Sequence, residues 1–244
     1  MPVAEMRLDK LIAGAGLCSR SDAKKLIRSG AVTVDGKAVT DPAAHCDPAA
    51  QICARGERVL WQPYLYLMLH KPAGYLSVTE DPRAPTVLDL LPPQLRKRNL
   101  SPAGRLDKDS EGFLILTSDG EFCHRVISPK SGVEKVYFIR VLHPFPPEAE
   151  AIFAAGAVLE NGEVCLPARL EPSEDRLSAR VTLSEGKYHQ VKRMALAAGT
   201  RVCYLRRESI GGVALDPALA PGAYRELTPQ ELRRIDRQYD NLHK

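Results

Sequence analysis

Residues 104–120 read Gly-Arg-Leu-Asp-Lys-Asp-Ser-Glu-Gly-Phe-Leu-Ile-Leu-Thr-Ser-Asp-Gly, a polar segment followed by an apolar run. The apolar run, 113–116, is bounded by turn residues, a pattern typical of a strand that is buried on both faces. The core would anchor the polar loop in front of such a strand. A reacting group on that loop would therefore be held in a defined position.

Arg105 and Asp107 are two residues apart in this loop. In extended backbone their side chains leave on the same side, and a guanidinium beside a carboxylate keeps the acid ionised even when it is partly desolvated. An ionised, positioned aspartate can act as a nucleophile or as a base. The alternative is a structural ion pair at the entrance of a strand, and the spacing alone favours this alternative.

Composition sets broad limits on the class of protein. The 244 residues include 34 Lys and Arg against 30 Asp and Glu, a net charge of +4, so the distribution of charge matters more than its sum. The length suits one large domain with a small one. The apolar runs are too short to span a membrane. The first ten residues are charged rather than apolar, so we expect no signal peptide and a cytoplasmic protein.

The cysteines are scattered and include no Cys-x-x-Cys pair. There are six, at positions 18, 46, 53, 123, 165 and 203. His45, Cys46 and Cys53 lack a second ligand pair at suitable spacing, which argues against a metal site. We therefore expect free thiols in a reducing compartment and no bound metal.

Residues 7–60 have the pattern of a small separate module. Apolar residues at helical spacing predict a helix over 7–15, and Ser19 is placed to cap a second helix that reaches about Ser29. An Asp-Gly turn at 35–36 then predicts a tight hairpin. The basic residues of the second helix are Arg20, Lys24, Lys25 and Arg28. They form a face suited to a phosphate backbone, although a solvated surface is the simpler interpretation.

Residues 186–207 form a second informative stretch, because they contain basic residues and no acid. The basic residues are Lys187, Lys192, Arg193, Arg201, Arg206 and Arg207. Apolar spacing predicts a helix over 189–198 that ends at Gly199, and a strand follows over 202–207. Tyr137, in a strand predicted over 134–141, could stack on a base and exchange a proton. A core tyrosine with a satisfied hydroxyl is the alternative, and spacing alone favours it.

The central motif resembles that of the pseudouridine synthases. The resemblance rests on Gly-Arg-Leu-Asp, then Gly112, the apolar run and Thr-x-Asp-Gly. Asp107 matches the catalytic aspartate of that family, while Ser110 and Phe113 depart mildly from the commoner Thr and Leu. A strand–Lys-Pro-x-Gly–strand pattern around residues 71–74 is similar to the family's first motif.

Three further residues take their expected roles from the same resemblance. Tyr137, in Lys-x-Tyr, looks like the active-site tyrosine. Lys192 stands where a basic residue meets the catalytic carboxylate, and Arg193 is the less favoured candidate. Leu205 resembles the apolar residue that packs against the substrate base. The expected catalytic site thus consists of five residues: Arg105, Asp107, Tyr137, Lys192 and Leu205.

The N-terminal module resembles the small RNA-binding domain named after a small-subunit ribosomal protein. This resemblance implies binding of structured RNA through shape and backbone contacts. The residues expected to contact RNA are Arg7, Ser19, Arg20, Lys24, Arg28, Lys187, Arg193 and Arg206.

Periodicity alone supports an α+β fold. The resemblance covers residues 6–236 and implies a small α/β RNA-binding module over 1–58 and a linker over 59–64. A catalytic domain is implied over 65–240, with a long, mainly antiparallel mixed sheet and a central cleft. We expect relative motion of the two domains.

The resemblance is nearest to the RsuA-type branch, which acts on small-subunit ribosomal RNA. Residues 207–212 and the absence of a long basic C-terminal tail favour this branch. The implied reaction is conversion of a uridine to pseudouridine in 16S ribosomal RNA, at uridine 516. The substrate would be the RNA or a small-subunit assembly intermediate, and the enzyme a monomer. The alternatives are a synthase that acts on 23S ribosomal RNA, or a non-catalytic ribosome-assembly protein that binds RNA.

The isomerisation breaks a bond from ribose to nitrogen, rotates the base and forms a bond to carbon 5. It needs no redox change, hydrolysis or energy input, so we expect no cofactor. It does need an ionised nucleophile, a cation, a stacking surface and extraction of the base. Asp107 could attack the pyrimidine ring, attack the anomeric carbon or act first as a base. An Asp-based hydrolase is disfavoured because acids other than Asp107 and Asp109 are lacking for magnesium.

Overall fold

The computed structural model describes residues 5–59, 61 and 64–239. The chain divides into two units, one with the residues up to Leu65 together with Pro93–Arg98, and the other with Tyr66–Pro92 and the residues from Asn99 onward. The linker predicted over 59–64 includes three residues outside the described part, and residue 240 also lies outside it. The predicted domain limits therefore stay predictions.

The first unit combines short helices with small antiparallel sheets. Its helices are α1 (Leu8–Gly14), α2 (Arg20–Arg28) and α3 (Pro93–Arg96). Its strands are β1 (Met6–Arg7), β2 (Val32–Val34), β3 (Lys37–Ala38), β4 (His45–Cys46), β5 (Ile52–Ala54) and β6 (Glu57–Arg58). Four of the strands form a sheet in the order β3-β2-β5-β6, and β1 pairs with β4.

The local sequence explains why this unit folds as it does. The Ser19 hydroxyl accepts a hydrogen bond from the Asp22 amide at 3.2 Å, which confirms the predicted N-cap of α2. Asp35 and Gly36 both have positive φ, as a two-residue hairpin turn requires, and the predicted hairpin of β2 and β3 is confirmed. Leu8, Leu11 and other fully buried apolar residues of α1, α2, β2 and β5 form the core.

The second unit is built on one large sheet. Its strands are β7 (Tyr66–Lys71), β8 (Ser101–Pro102), β9 (Glu111–Thr117), β10 (Lys135–Val141), β11 (Arg169–Pro172), β12 (Ser178–Leu183), β13 (Val202–Ile210), β14 (Val213–Ala214) and β15 (Tyr224–Glu226). Its helices are α4 (Gly120–Ile127), α5 (Ala149–Ala155), α6 (Gln190–Ala197) and α7 (Pro229–Ile235). Two 3₁₀ turns span Val87–Leu90 and Pro129–Ser131.

The sheet has nine strands, with the order β11-β12-β10-β13-β9-β7-β15 and with β14 and β8 paired to β13 and β9. All of these pairings are antiparallel except that of β9 with β13, which is parallel. The predicted mixed, mainly antiparallel sheet and the α+β class are confirmed. Residues 112–117 of β9 are all buried, so the apolar run is the buried strand that its pattern predicts.

Two apolar cores hold the layers of this unit together. One contains Ile139 of β10 with Phe153 of α5 and Met194 of α6. The other contains Phe113 of β9 with residues of α4 and α7. The helix predicted over 189–198 buries Val191, Met194, Ala195 and Ala198, which fixes the face that α6 turns to the sheet.

Two details differ from the predicted elements. The second strand of the strand–Lys-Pro-x-Gly–strand pattern, expected at 76–78, is only a single bridge between Leu76 and Thr86. The strand predicted over 202–207 continues to Ile210, because β14 turns back at Gly211 and Gly212 and pairs with its end. Among the described residues, no helix has the length and apolar character needed to cross a bilayer.

Candidate active site

A cavity of about 580 Å³ lies in the second unit, beside the loop that precedes β9. Residues of that loop, of β10, of β13 and of the start of α6 form its walls. All five residues of the expected catalytic site line it: Arg105, Asp107, Tyr137, Lys192 and Leu205. The fold therefore brings together side chains from three distant parts of the sequence.

The loop that carries Asp107 is held by buried polar side chains. The Ser77 hydroxyl donates to the carbonyl oxygen of Leu106 at 2.8 Å and accepts from the amide of Leu106 at 3.1 Å. The ammonium of Lys71, at the end of β7, donates to the carbonyl oxygens of Asp107 at 3.0 Å and Ser110 at 2.7 Å. Lys71 is fully buried, and burial lowers its pKa to about 8. These bonds fix the backbone beneath Asp107.

The carboxylate of Asp107 lies between two basic side chains. Lys192 Nζ is 3.1 Å from one oxygen and His189 Nε2 is 3.4 Å from the other. Lys192 also donates to both oxygens of Asp109, at 2.6 and 2.9 Å. Burial alone would lower the pKa of Lys192, but hydrogen bonds to Asp109 and Asp107 outweigh it and the pKa is raised. Lys192 is thus a charged partner for the carboxylate at neutral pH.

Arg105 does not take this position. It is exposed, and among the described ion pairs none joins it to Asp107. The expected pairing of these two side chains is therefore wrong: Lys192 and His189 contact the Asp107 carboxylate instead. Arg105 remains at the cavity wall, and its predicted role stays a prediction.

Two buried cations that were not predicted here, Lys135 and Arg207, also line the cavity. Arg207 Nε donates to the Phe113 carbonyl oxygen at 2.7 Å, and its guanidinium carbon is 5.8 Å from the centre of the Tyr137 ring. Burial, together with the nearby positive charge of Arg207, lowers the pKa of Lys135 to about 8. Strand alternation could have found both, because Lys135 shares a face with Tyr137, as Arg207 does with Leu205.

Residues 65–197 match the model of the family described as RNA pseudouridylate synthase. The chain belongs to this family. Residues 6–52 of the synthase match the S4 domain model. The resemblance of the central motif to pseudouridine synthases and that of the N-terminal module to the small RNA-binding domain are therefore confirmed.

Relatives of the synthase match it over almost its full length. The protein of Bacillus subtilis called uncharacterized RNA pseudouridine synthase YtzG is 47% identical over 95% of this chain and 98% of its own. Ribosomal small subunit pseudouridine synthase A is 43% identical in Pseudomonas aeruginosa and 42% in Escherichia coli K12, over 93% and 94% of this chain and 99% and 100% of theirs. A solved pseudouridylate synthase structure has 38% identity and a TM-score of 0.67, covering 94% of this chain and 99% of its own.

The synthase needs glycine at position 112, where β9 meets β13. Gly112 has a φ of +107°, and a Cβ there would lie 2.3 Å from the Arg207 carbonyl oxygen. The two backbones therefore approach each other too closely for any side chain. This approach brings the Asp107 loop and the strand that carries Leu205 and Arg207 to one cavity.

The pairing of β10 with β13 is irregular beside the cavity. Lys135 lies opposite Ile210, but the register shifts by one residue after Val136, so that Tyr137 lies opposite Arg207. Such irregularities re-aim side chains at functional sites. Here the shift places Arg207 beside Tyr137.

Three residues of the second unit that were predicted to contact RNA carry ion pairs at the surface of the synthase. Lys187 pairs with Glu163 at 2.8 Å, and Arg193 donates to Asn161 at 2.6 Å. Arg206 pairs with Glu208 at 2.7 Å and, as the neighbour of Leu205 and Arg207, points to the opposite face of the sheet. Their predicted contacts with RNA stay predictions.

In the first unit, two of the predicted RNA contacts share one buried acid. Arg7 and Arg20 lie 3.0 and 3.2 Å from Asp9, which is fully buried. The hydrogen bond from Arg7, with that from Arg20, lowers the pKa of Asp9 to about 2 against the effect of burial. Asp9 therefore holds both guanidinium groups at the surface. Ser19 caps α2, and Lys24 and Arg28 lie on that helix.

Proposed function

We propose that this synthase isomerises a uridine to pseudouridine in 16S ribosomal RNA, with uridine 516 as the expected position. The observation that carries the reaction is the Asp107 carboxylate, which is held by Lys192 at 3.1 Å in the wall of a cavity. The choice of RNA is supported by the relatives that are named ribosomal small subunit pseudouridine synthase A.

Each residue of the cavity has a proposed part in the reaction. Asp107 is the ionised group that attacks the base or the ribose, or first acts as a base, and all three routes use the same carboxylate. Lys192 keeps it charged and oriented. Tyr137 and Leu205, both buried, provide a flat and apolar surface for the uracil ring. Arg105 is exposed at the cavity, where an RNA strand would arrive.

Binding of the RNA supplies the free energy to extract the base. Extraction costs a few kcal/mol, and contacts of Lys or Arg with phosphates can offset it. We assign these contacts to the N-terminal module and to the basic residues beside the cavity. The substrate is 16S RNA or an assembly intermediate, the proposed domain limits are 1–58 and 65–240, and the enzyme acts as a monomer in the cytoplasm.

Modification mapping tests the proposal. Ribosomal RNA from cells that lack the protein would be compared after complementation with wild type, Asp107→Asn or Asp175→Asn. Asp175 is an exposed aspartate that does not line the cavity. Carbodiimide treatment followed by reverse transcription reports each pseudouridine as a stop. We expect one 16S position to return with wild type and Asp175→Asn only.

The other outcomes separate the alternatives. A lost signal in the large subunit would leave the reaction intact and overturn the choice of 16S RNA. Restoration by Asp107→Asn would exclude Asp107 as the reacting carboxylate. If deletion of the protein changed no position in either RNA, a non-catalytic role in ribosome assembly would replace the proposed reaction.

A further inference from the structure

We propose that Arg207 and Lys135 form a cationic wall of the cavity that stabilises the negative charge developing on the uracil ring during the isomerisation. The inference rests on the proposed function and adds two residues to it. Both are anion-stabilising groups that would face the reacting base, and they are distinct from Lys192, which faces Asp107.

The two side chains are buried together in the wall of the cavity. Arg207 is 2% exposed and Lys135 is 5% exposed, and they stand on the adjacent strands β13 and β10. Among the described residues, no carboxylate forms an ion pair with either, and Asp107, which Lys192 holds, is the acid that lines the main cavity. The buried wall therefore carries more positive than negative charge.

Arg207 also retains unused hydrogen-bonding capacity. Its Nε donates to the Phe113 carbonyl oxygen, and Nη1 lies 3.4 Å from the Tyr137 hydroxyl. Its Nη2 is buried and has no hydrogen-bond partner among the described residues. A buried donor without a partner is destabilising, because it has lost its hydrogen bonds to water. An anionic group that arrives beside the guanidinium would remove this destabilisation.

The depth of the two cations indicates which part of the nucleotide they meet. When a nucleotide is flipped out, its base enters the pocket and its phosphates stay with the strand outside. Exposed cations at the cavity, Arg105 and Lys108, are available to phosphates. Lys135 and Arg207 are accompanied by Tyr137 and Leu205, which suit a pyrimidine ring. The uracil ring is therefore the group that reaches them.

The electron balance of the reaction places negative charge on that ring. When the N1–C1′ bond breaks, its electron pair passes to the ring and spreads onto O2 and O4. Carbon 5 then forms the bond to C1′, its proton is released and N1 takes up a proton, so the product is an isomer. Attack of Asp107 on the ring would load the same ring system with charge. Fixed cations in a desolvated site stabilise such charge without reorganisation.

Lys135 can carry its charge during the reaction. Burial and the neighbouring Arg207 lower the pKa of Lys135 to about 8, so its ammonium is mostly protonated at pH 7. Its Nζ donates to the Val133 carbonyl oxygen at 2.9 Å, which fixes the group in place. An anion beside it would raise the pKa again and keep the proton on the lysine.

A change in the base tests the inference. Single-turnover loss of the N1–C1′ bond would be measured on the RNA that the wild type modifies, with uridine or 5-fluorouridine at the target. Fluorine withdraws electrons and itself stabilises the ring anion. We expect Arg207→Gln and Lys135→Met to lower the rate of bond loss with uridine about 100-fold. With 5-fluorouridine this reduction in rate should be about tenfold smaller, and the affinity for RNA should be unchanged.

Arg140→Gln is the matched control, because Arg140 is exposed on the opposite face of β10 and its removal costs one positive charge. Equal losses on the two bases would assign Arg207 and Lys135 a positioning role and overturn the inference. Wild-type rates in folded variants would also overturn it. If Arg207→Gln does not fold, as judged by its thermal melt, Lys135→Met gives the decision. A wild type that modifies no RNA would refute the proposed function instead.

Discussion

Lys192 Nζ lies 3.1 Å from an oxygen of Asp107 and 2.6 Å from an oxygen of Asp109, so two carboxylates share one ammonium. The Asp107 side chain is 25% exposed, whereas that of Asp109 is 73% exposed. Electrostatic interactions are stronger where water is excluded. The pair with Asp107 is therefore the one that can orient a reacting group, while Asp109 steadies the lysine from the solvent side.

Replacement of Lys192 by Met should lower the single-turnover rate about 100-fold, because a misplaced reacting group costs a factor of that order. Asp109→Asn is the matched control. A solvent-exposed ion pair contributes about 0–1 kcal/mol, so this variant should lose no more than about fivefold. Rapid-quench measurement at saturating enzyme would compare the two. Equal rates of Lys192→Met and wild type would refute the role of the lysine.

Lys71→Met should destabilise the second unit and slow the reaction, because the carbonyl oxygens of Asp107 and Ser110 lose their donor. The expected loss is about 1–3 kcal/mol in the free energy of unfolding. Urea unfolding at pH 7 measures it. Lys108→Met, at an exposed lysine of the same loop, is the control for loss of charge. A Lys71→Met variant with wild-type stability would contradict the prediction.

The same variant should change how stability depends on pH. The pKa of Lys71 is lowered from 10.5 to about 8 in the folded protein. Between these values the unfolded chain binds more protons, so the free energy of unfolding rises with pH. Lys71→Met lacks this contribution. The difference in the free energy of unfolding between wild type and variant should therefore increase from pH 8 to 10.5. Parallel pH curves would show that Lys71 is not titrating in this range.

Asp9→Asn should weaken the first unit, because two arginines lose a buried, charged acceptor. Hydrogen bonds to charged groups contribute about 1.5–3 kcal/mol. The pKa of Asp9 is lowered to about 2, so its contribution is complete above about pH 4 and is lost as the pH falls through 2. Thermal melts at pH 7 and pH 3 measure both effects. Asp22→Asn, at an exposed acid of α2, should change stability by less than about 1 kcal/mol.

Deletion of residues 1–58 should weaken RNA binding and leave the catalytic domain folded, because the two units have separate apolar cores. The dissociation constant for RNA should rise, and its dependence on salt should become weaker as phosphate contacts are lost. Filter binding over a salt series measures this. Loss of the cooperative melt in the truncated protein would refute independent folding.

The sequence predicts local features of this fold well, for reasons that lie within a few residues. The buried strand at 113–116 follows from an apolar run between turns, and the cap at Ser19 from its place before a helix. The parallel pairing of β9 with β13 joins residues about 95 positions apart, and no local pattern encodes it. The family resemblance, rather than periodicity, brought Asp107, Tyr137 and Lys192 together.

Buried cations are the part of the site that the sequence concealed. Lysine and arginine usually lie at the protein surface, yet Lys71, Lys135 and Arg207 are buried. Their burial depends on carbonyl oxygens from other segments, such as that of Phe113 for Arg207. A charged residue is rarely buried unless it is satisfied in this way. The sequence does contain one signal of this burial. Lys71 and Arg207 each lie two residues after a buried leucine, Leu69 or Leu205, and so share its face of the strand.

The shift of register between β10 and β13 sets the sign of the charge beside Tyr137. In an unbroken ladder counted from Lys135 and Ile210, the residue opposite Tyr137 would be Glu208, and an acid would stand where Arg207 now stands. An insertion or deletion of one residue in this segment would thus reverse the polarity of the cavity wall even if Tyr137 and Lys135 were unchanged. Chain length between Leu205 and Ile210 is as much a determinant of the chemistry as the identity of the side chains.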